Sequence, residues 1–427
     1  MVDAALSQQL LKAVDAGFGE ETDFIAELVK FPSLRGQEAT AQDFMAEAMR
    51  ARGLGVDRWK VEVADIAHLP GFSPVHVSYD NAYNVVGAHR AASPKGKSLI
   101  LNGHIDVVPV GPLDMWTTPP FQPRIEGGWL YGRGGGDMKA GLAAMLYAYD
   151  AFKRLGLRPA ADVFFQSVIE EECTGNGALA CLARGYKAEA AFIPEPMWNR
   201  FIRAQVGVMW FQVKLKGHPV HVREAGNGAN AIEAAFPLMQ ALHAVEDRWN
   251  AAAKSDRHFG HVHHPINVNV GKIAGGDWAS SVPAWCVFDV RIAVLPGQDL
   301  AEARSEIEDA IRGAARGNRF LANNPPEIVW NGFQAEGYVL EGGEAAEAAL
   351  GGAHAAVFGG AKLEEEFATG TTDARFFGLY AGIPALVYGP NSDDIHGFDE
   401  KVELDSVRRV TQAMALFIAD WCGVEKA

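Results

Sequence analysis

Short apolar runs that each close on a histidine, a carboxylate or a glycine turn restrict the fold more than any other feature of this chain. Leu99-Ile100-Leu101 leads into Asn102-Gly103-His104-Ile105-Asp106, residues 163–169 lead into Glu170-Glu171-Glu172, and residues 190–193 lead into Pro194-Glu195-Pro196. The glycines Gly134-Gly135-Gly136 precede Asp137, and His396 sits in a loop after the strand candidate 385–388. Ligand-type side chains at strand ends and tight turns can converge in one cleft, whereas side chains scattered over helix surfaces cannot. Two imidazoles with several carboxylates suit a hard-to-borderline divalent metal such as Zn²⁺, Mn²⁺ or Co²⁺.

Periodicity places these runs in a larger order. Apolar residues recur at three- and four-residue steps from Leu10 to Val29, and a second helix is expected over 39–52. Strand and helix then alternate: strand 98–101, helix 138–155, strand 162–169, helix 177–185, strand 190–193. That order predicts an α/β domain with a mainly parallel sheet. The pattern changes near Ala204. Strand 206–215, helix 230–249, strands 266–273 and 285–295 and helix 300–315 supply five elements of a suggested β-α-β-β-α-β unit. The expected division is a catalytic domain of residues 1–203 plus 333–427, with an inserted α+β domain at 204–332. Helix 342–358, strand 385–388 and helix 404–421 resume the first pattern.

Length and charge bound the rest. A chain of 427 residues can bury a large core and hold two domains. A net charge of −15 argues against a nucleic-acid partner, which would need a basic face. The four cysteines, Cys173, Cys181, Cys286 and Cys422, form no C-x-x-C pair or disulfide framework, so a reducing, cytoplasmic setting is expected. No basic and apolar leader is read at the N-terminus, and no apolar run reaches the roughly 18 residues of a membrane span.

Each motif taken alone has a second reading. His104 with Asp106 is either a metal ligand with its orienting carboxylate or a solvated loop histidine beside a helix-capping aspartate. Asp137, at the expected start of a helix, either bridges two cations or caps that helix. Neither a phosphate loop nor a dinucleotide fingerprint fits its glycines. Glu170-Glu171-Glu172 is a compensated acidic cluster or an exposed acidic turn. Strand alternation would send Glu171 and Glu172 in different directions, one toward base chemistry and one toward metal. Glu195 between two prolines is held rigidly, or simply marks a polar turn.

Together the pieces resemble the dinuclear zinc amidohydrolase and metallopeptidase family of acetylornithine deacetylase, succinyl-diaminopimelate desuccinylase, carboxypeptidase G and aminoacylase. The resemblance rests on Asn102-Gly-His-Ile-Asp-Val-Val-Pro109, Gly132-Arg-Gly-Gly-Gly-Asp-Met-Lys-Ala-Gly141, the Glu cluster, Glu195-Pro196, Gly217-His-Pro-Val-His221 and Asp394-Ile-His-Gly-Phe-Asp-Glu400. It implies that Asp137 bridges two metals, that His104 and Glu195 complete one site, and that Glu172 and His396 complete the other. It further implies Glu171 as general base and Asp106 as the residue that orients His104. By the same resemblance, the inserted domain is a lid and dimerisation domain, so a homodimer is expected. His221 there looks like the histidine that reaches a partner's active site. Arg291 is similar to a position near the substrate carboxylate, or else pairs with Asp289. Zinc is the first expectation for the metal, with manganese or cobalt as alternatives, and a single-metal form stays open.

The chain departs from the family pattern in two places. Met197-Trp198 follow Glu195-Pro196 where the family often has Thr, and Ser280 stands where the lid tends to have Asn. Trp198 and Trp278 are either aromatic surface near the substrate or packing residues. The implied activity is hydrolysis of a C–N amide bond in an N-acyl amino acid or similar small molecule. The alternative is an aminohydrolase releasing ammonia from an aromatic or cyclic amine. A non-catalytic protein that keeps the fold would need a broken ligand set, and here every ligand type is present.

Overall fold

The computed structural model describes residues 3–427. Its central sheet has six strands in the order Gly55–Lys60, Tyr83–His89, Val163–Val168, Leu99–His104, Ala190–Ile193, Ala385–Val387. The last four are mutually parallel, and Tyr83–His89 runs antiparallel to both its neighbours. All four parallel strands are buried along their whole length, which is why they read as continuous apolar runs rather than as alternation. The expected class, a mainly parallel α/β sheet with an added α+β unit, is the one observed.

Helices cover both faces of this sheet. Gly103 faces the helix Ala140–Arg154, whose Leu142 would lie 3.0 Å from an added Cβ. Asn102, one residue back and so on the other face, hydrogen-bonds Asp373 at the start of the helix Ala374–Ala381. Gly141 permits a close approach. A Cβ there would stand 2.4 Å from the Pro194 carbonyl oxygen, so glycine lets the helix sit against the turn that carries Glu195.

The helix expected from residue 138 begins at Ala140 instead. Asp137 and Met138 have non-helical backbone angles, φ −112°, ψ 93° and φ −131°, ψ 37°, across a cis peptide bond. The strand Gly55–Lys60 escapes the pattern reading because it is a half-exposed edge carrying Asp57, Arg58 and Lys60.

Six elements follow in β-α-β-β-α-β order: Gly207–Lys216, Ala231–Ala253, Val268–Gly275, Trp285–Val294, Leu300–Arg316 and Glu327–Ala335. Their strands form one antiparallel sheet in the order Val268–Gly275, Trp285–Val294, Gly207–Lys216, Glu327–Ala335. The helix starts are legible. Asn230 accepts from the N–H groups of Ile232 and Glu233, and Asp299 from those of Ala301 and Glu302. Ala303, Ile307, Ile311 and Ala315, four residues apart, then bury one face of Leu300–Arg316. Phe211, Phe288, Leu238 and Ile307 belong to this unit's own apolar cluster, separate from the one around the large sheet.

One buried carboxyl makes stability depend on pH. Glu21, on the helix Ala4–Val29, is 1% exposed and accepts a 2.6 Å hydrogen bond from Thr411 Oγ1. Burial pushes its pKa up to about 8 from the usual 4.5, against that hydrogen bond. The folded chain therefore holds a proton that the unfolded chain releases above pH 4.5, and stability falls as pH rises from there to about 8. Glu21→Gln is expected to remove about 3 kcal/mol of this loss, at about 1.4 kcal/mol per unit discounted for relaxation. Urea melts of both proteins at pH 5 and pH 9 measure it. The two should converge at pH 5 and separate at pH 9, with the variant more stable.

Candidate metal centre and active-site cleft

Three adjacent parallel strands deliver the site. Leu99–His104 ends on His104, Val163–Val168 leads to Glu171 and Glu172, and Ala190–Ile193 leads to Glu195. Because the strands run the same way, their carboxyl ends share one edge, where open α/β sheets bind ligands. Asp137 and His396 come in on loops above that edge.

The geometry centres on Asp137. Its Oδ1 lies 3.0 Å from His104 Nε2, and its Oδ2 lies 3.4 Å from His396 Nε2. His104 Nε2 is also 3.6 Å from Glu195 and 4.0 Å from Glu171, while His396 Nε2 is 3.1 Å from Glu172. His104, Glu171 and Glu195 present one set of mutually close ligand atoms, and His104, Asp137 and Glu172 present another. His104 and Glu195 are buried, whereas His396 stands on the exposed rim.

Burial and charge pull these groups in opposite directions. Burial works against a charged His104, yet Glu195, Asp137, Asp106 and Glu171 push its pKa well above normal. His396, with Glu172 and Asp137 outweighing burial, rises to about 11. Burial holds Glu171 and Glu195 well above the usual carboxylate range, although His104 opposes it. Asp137 goes the other way: both histidines, overcoming burial, drive it far down. Among the described residues the ion pairs of Asp137, Glu171, Glu172 and Glu195 are all with His104 or His396. Among the described residues no lysine or arginine lies within ion-pair distance of the four carboxylates, so the donor set of imidazole nitrogen and carboxylate oxygen fits divalent cations.

Several alternative readings can now be tested. His104 and Asp106 are 1% and 2% exposed, not solvated. Asp137 does not cap a helix, since the N-cap position before Ala140 is Lys139. The Glu cluster is no exposed turn, and it is sorted rather than repelling. Glu170, at a left-handed φ of 67°, turns away to Arg35, Tyr79 and Thr174 at 2.5–2.9 Å. The strand ends at Val168, so this turn separates Glu171 from Glu172, not strand alternation.

The expected contact from the Asp106 carboxylate to His104 needs correction. His104 Nδ1 is 2.9 Å from the Asp106 main-chain carbonyl oxygen and 3.7 Å from the carboxylate. That carboxylate instead accepts from the N–H groups of Glu171 at 3.3 Å and Glu172 at 3.1 Å. It fixes the turn that aims both glutamates, while its own carbonyl holds the imidazole.

Arg291 and His221 lie further out. The Arg291 guanidinium donates to the carbonyls of Asn267 at 3.3 Å and Thr369 at 3.0 Å, and burial lowers its pKa to about 10. Asp289 is taken by Gln212 Nε2 at 2.6 Å, so the Asp289 pairing does not form. Arg291 lines a cavity of about 370 Å³ that Asp106 and Glu172 also line. His221 is exposed, accepts from Arg223 N–H at 3.2 Å, and lines neither this cavity nor the main cleft.

The main cleft, about 700 Å³, opens from Asp137, Glu171, Glu172, Glu195 and His396 toward Met197, Trp198, Ile202 and the loop Thr369–Thr372. Sequence reasoning missed that loop and Asp373 behind it. Asp373 is 1% exposed, bonds Asn102 at 3.2 Å, and is pushed up to about 6 by burial. The signal was a polar run, Thr369 to Asp373, ahead of an apolar helix.

Substituting Asp137 removes the group shared by both histidines. Asp137→Asn is expected to weaken Zn²⁺ binding by more than the about 10–100-fold typical of losing an outer-sphere partner. Chelator competition on the purified protein measures this, and unchanged affinity would exclude Asp137 as a ligand.

Residues 100–420 match the model of peptidase family M20/M25/M40. An N-formyl-4-amino-5-aminomethyl-2-methylpyrimidine deformylase of Halalkalibacterium halodurans is 29% identical over the full length of both chains. A succinyl-diaminopimelate desuccinylase of Polynucleobacter necessarius is 27% identical, over 74% of this chain and 80% of that one. The fold also matches a di-peptidase of Saccharomyces cerevisiae with a TM-score of 0.79 at 17% identity, covering 97% of this chain and 98% of that one. The aminohydrolase alternative is not favoured, since these sequence relatives are a deformylase and a desuccinylase. The chain belongs to peptidase family M20/M25/M40 and is a hydrolase of C–N amide bonds.

Proposed function

We propose that this hydrolase removes a formyl or other short acyl group from the amine nitrogen of a small aromatic or heteroaromatic molecule. It would use two divalent cations, zinc first, with manganese or cobalt as substitutes. The observation that carries the reading is Asp137, which offers one oxygen toward each histidine and so suits a bridge between two cation sites. His104 and Glu195 would hold one cation, and Glu172 and His396 the other. When bound, the cations supply Lewis acidity to the amide carbonyl and to water.

The chain's own residues supply the rest. Glu171 faces the cleft beside His104. It takes the proton of the attacking water and returns it to the departing amine nitrogen. Asp106 keeps Glu171 in place through its N–H.

The substrate class follows from the cleft wall. Trp198 is 50% exposed at a left-handed φ of 51°, followed by Asn199 at 59°. Their N–H groups bond the carbonyls of Pro390 at 3.3 Å and Gly389 at 3.0 Å. Non-glycine residues held in this region are uncommon and gather at ligand clamps. Met197, Ile202, Ala368 and Ile395 extend an apolar wall that suits a planar ring, with Arg200 and Glu366 also lining the cleft. The full-length pyrimidine deformylase relative supports the same class.

A homodimer through residues 204–332 completes the proposal. Among the described residues, the edge strand Val268–Gly275 pairs only with Trp285–Val294, leaving its outer edge open. Ile273, Phe236 and Trp278 are 52%, 54% and 74% exposed in the same unit, a surface suited to a second copy. His221, remote from its own cleft, would reach the partner's. The two separate apolar clusters support an inserted unit, though its last strand runs to Ala335, past the expected boundary at 332. The four free, buried cysteines support a reducing, cytoplasmic setting.

Mass-spectrometric product analysis with N-formyl, N-succinyl and dipeptide substrates tests the reaction. Formate with a free aromatic amine is expected, and succinate or amino acids as the preferred products would overturn the substrate class. Glu171→Gln should cut turnover at least about 100-fold while the metal stays bound. Retention of a tenth of wild-type activity would remove Glu171 as base. Trp198→Ala is expected to raise KM for an aromatic substrate about 3–10-fold, the worth of one ring contact, with kcat little changed. An equal effect on an aliphatic N-formyl amine would refute stacking.

A further inference from the structure

The structure assigns to Glu400 the role of positioning residue for Asp137, and so for the spacing of the two cation sites; this rests on the two-cation reading above. Glu400 is 1% exposed and lies four residues beyond His396. Its Oε1 accepts from the N–H groups of Gly136 and Asp137, both at 3.1 Å. Its Oε2 accepts from Gly134 N–H at 3.0 Å and from Arg133 Nη1 at 2.6 Å. The loop therefore wraps its main chain around one carboxylate, with successive N–H groups pointing inward as in an anion-binding nest.

The glycines are what allow this wrapping. Gly134 sits at φ 75°, and a Cβ on Gly136 would fall 1.8 Å from Ser392 Oγ. The N–H of Asp137 is itself one of the donors, so the carboxylate that faces both histidines hangs from a backbone atom anchored to Glu400.

Arg133 extends the anchor to the other ligands. Its Nη2 donates to the Gly397 carbonyl at 2.9 Å, one residue after His396, and reaches the Pro109 carbonyl at 3.5 Å on the segment that follows His104. Gly132 N–H also donates to the Glu400 carbonyl at 2.9 Å. One buried pair thus ties together the segments that carry His104, Asp137 and His396. A glutamine could not substitute. It offers one acceptor oxygen, and its NH₂ group would face N–H donors on the other side.

The test compares wild type with Glu400→Gln, using Zn²⁺ stoichiometry after dialysis and the electron paramagnetic resonance of the Mn²⁺-loaded protein. Wild type is expected to hold two Zn²⁺ and to show an exchange-coupled Mn²⁺ pair. The variant should hold one or fewer, bind the second Zn²⁺ about 10–100-fold more weakly, and lose the coupling. Two Zn²⁺ with wild-type affinity and coupling in the variant would overturn the inference. Fewer than two Zn²⁺ in wild type would overturn the two-cation reading itself. Should Glu400→Gln fail to fold, Arg133→Lys carries the same test, because it keeps the charge but loses the fork that joins Glu400 to Gly397. Wild-type metal binding in that variant would likewise overturn the inference.

Discussion

Four carboxylates gathered at one sheet edge, with two imidazoles as their ion-pair partners among the described residues, set the terms for everything around them. Withdrawing one such ion from water costs several kcal/mol, and like charges a few ångströms apart add to that. The arrangement persists because backbone donors and buried pairs over-determine it. Asp106 clamps the Glu171-Glu172 turn, Glu170 is drawn off to Arg35, and Glu400 holds the glycine loop under Asp137. Each of these carboxylates is spent on geometry. The chain uses buried acids as scaffolding for other acids, and the cations that fit the donor set would supply the missing charge.

Much of this was legible because the sheet is parallel. Strands buried on both faces must be apolar throughout, so the first polar residue after each run marks a strand end, and parallel strands put those ends together. His104, Glu171, Glu172 and Glu195 could therefore be singled out as candidates from local pattern, while their roles came only with the family resemblance. The inserted unit was legible for the opposite reason: its half-exposed strands alternate, and its helices open on Asn230 and Asp299. What could not be read is tertiary. Nothing local says that the Asp106 carbonyl rather than its carboxylate meets His104, or that a turn at Glu170 separates the next two glutamates. Strand alternation gave the right divergence of Glu171 and Glu172 by the wrong geometry. Glu400 was visible within a motif, but its partners lie more than 260 residues earlier in the chain.

Arg291 illustrates how the two units communicate. Its guanidinium, on a strand of the inserted sheet, caps the Thr369 carbonyl in a loop that lines the main cleft. It also caps Asn267 of its own unit and has neutral partners only, so burial lowers its pKa. A cation held by carbonyls keeps its charge available to an incoming anion in a way that one paired with Asp289 would not. The contact ties the Thr369–Thr372 loop of the cleft to a strand of the inserted sheet.

The division of labour between strands and loops explains how one ligand set can serve different amides. His104 and the glutamates stand at or just beyond strand ends, where packing on both faces leaves them little freedom. Trp198 and Thr369–Thr372 are on loops, where substitutions cost less stability and change which molecule fits. A chain of this fold can thus keep its strand-end residues while exchanging the cleft wall. In this chain the loop after Glu195-Pro196 carries Trp198, held in a left-handed backbone by the N–H groups of Trp198 and Asn199 on the carbonyls of Pro390 and Gly389. A bulky residue kept in a costly conformation and half exposed to solvent is best explained by what it contacts when the cleft is occupied.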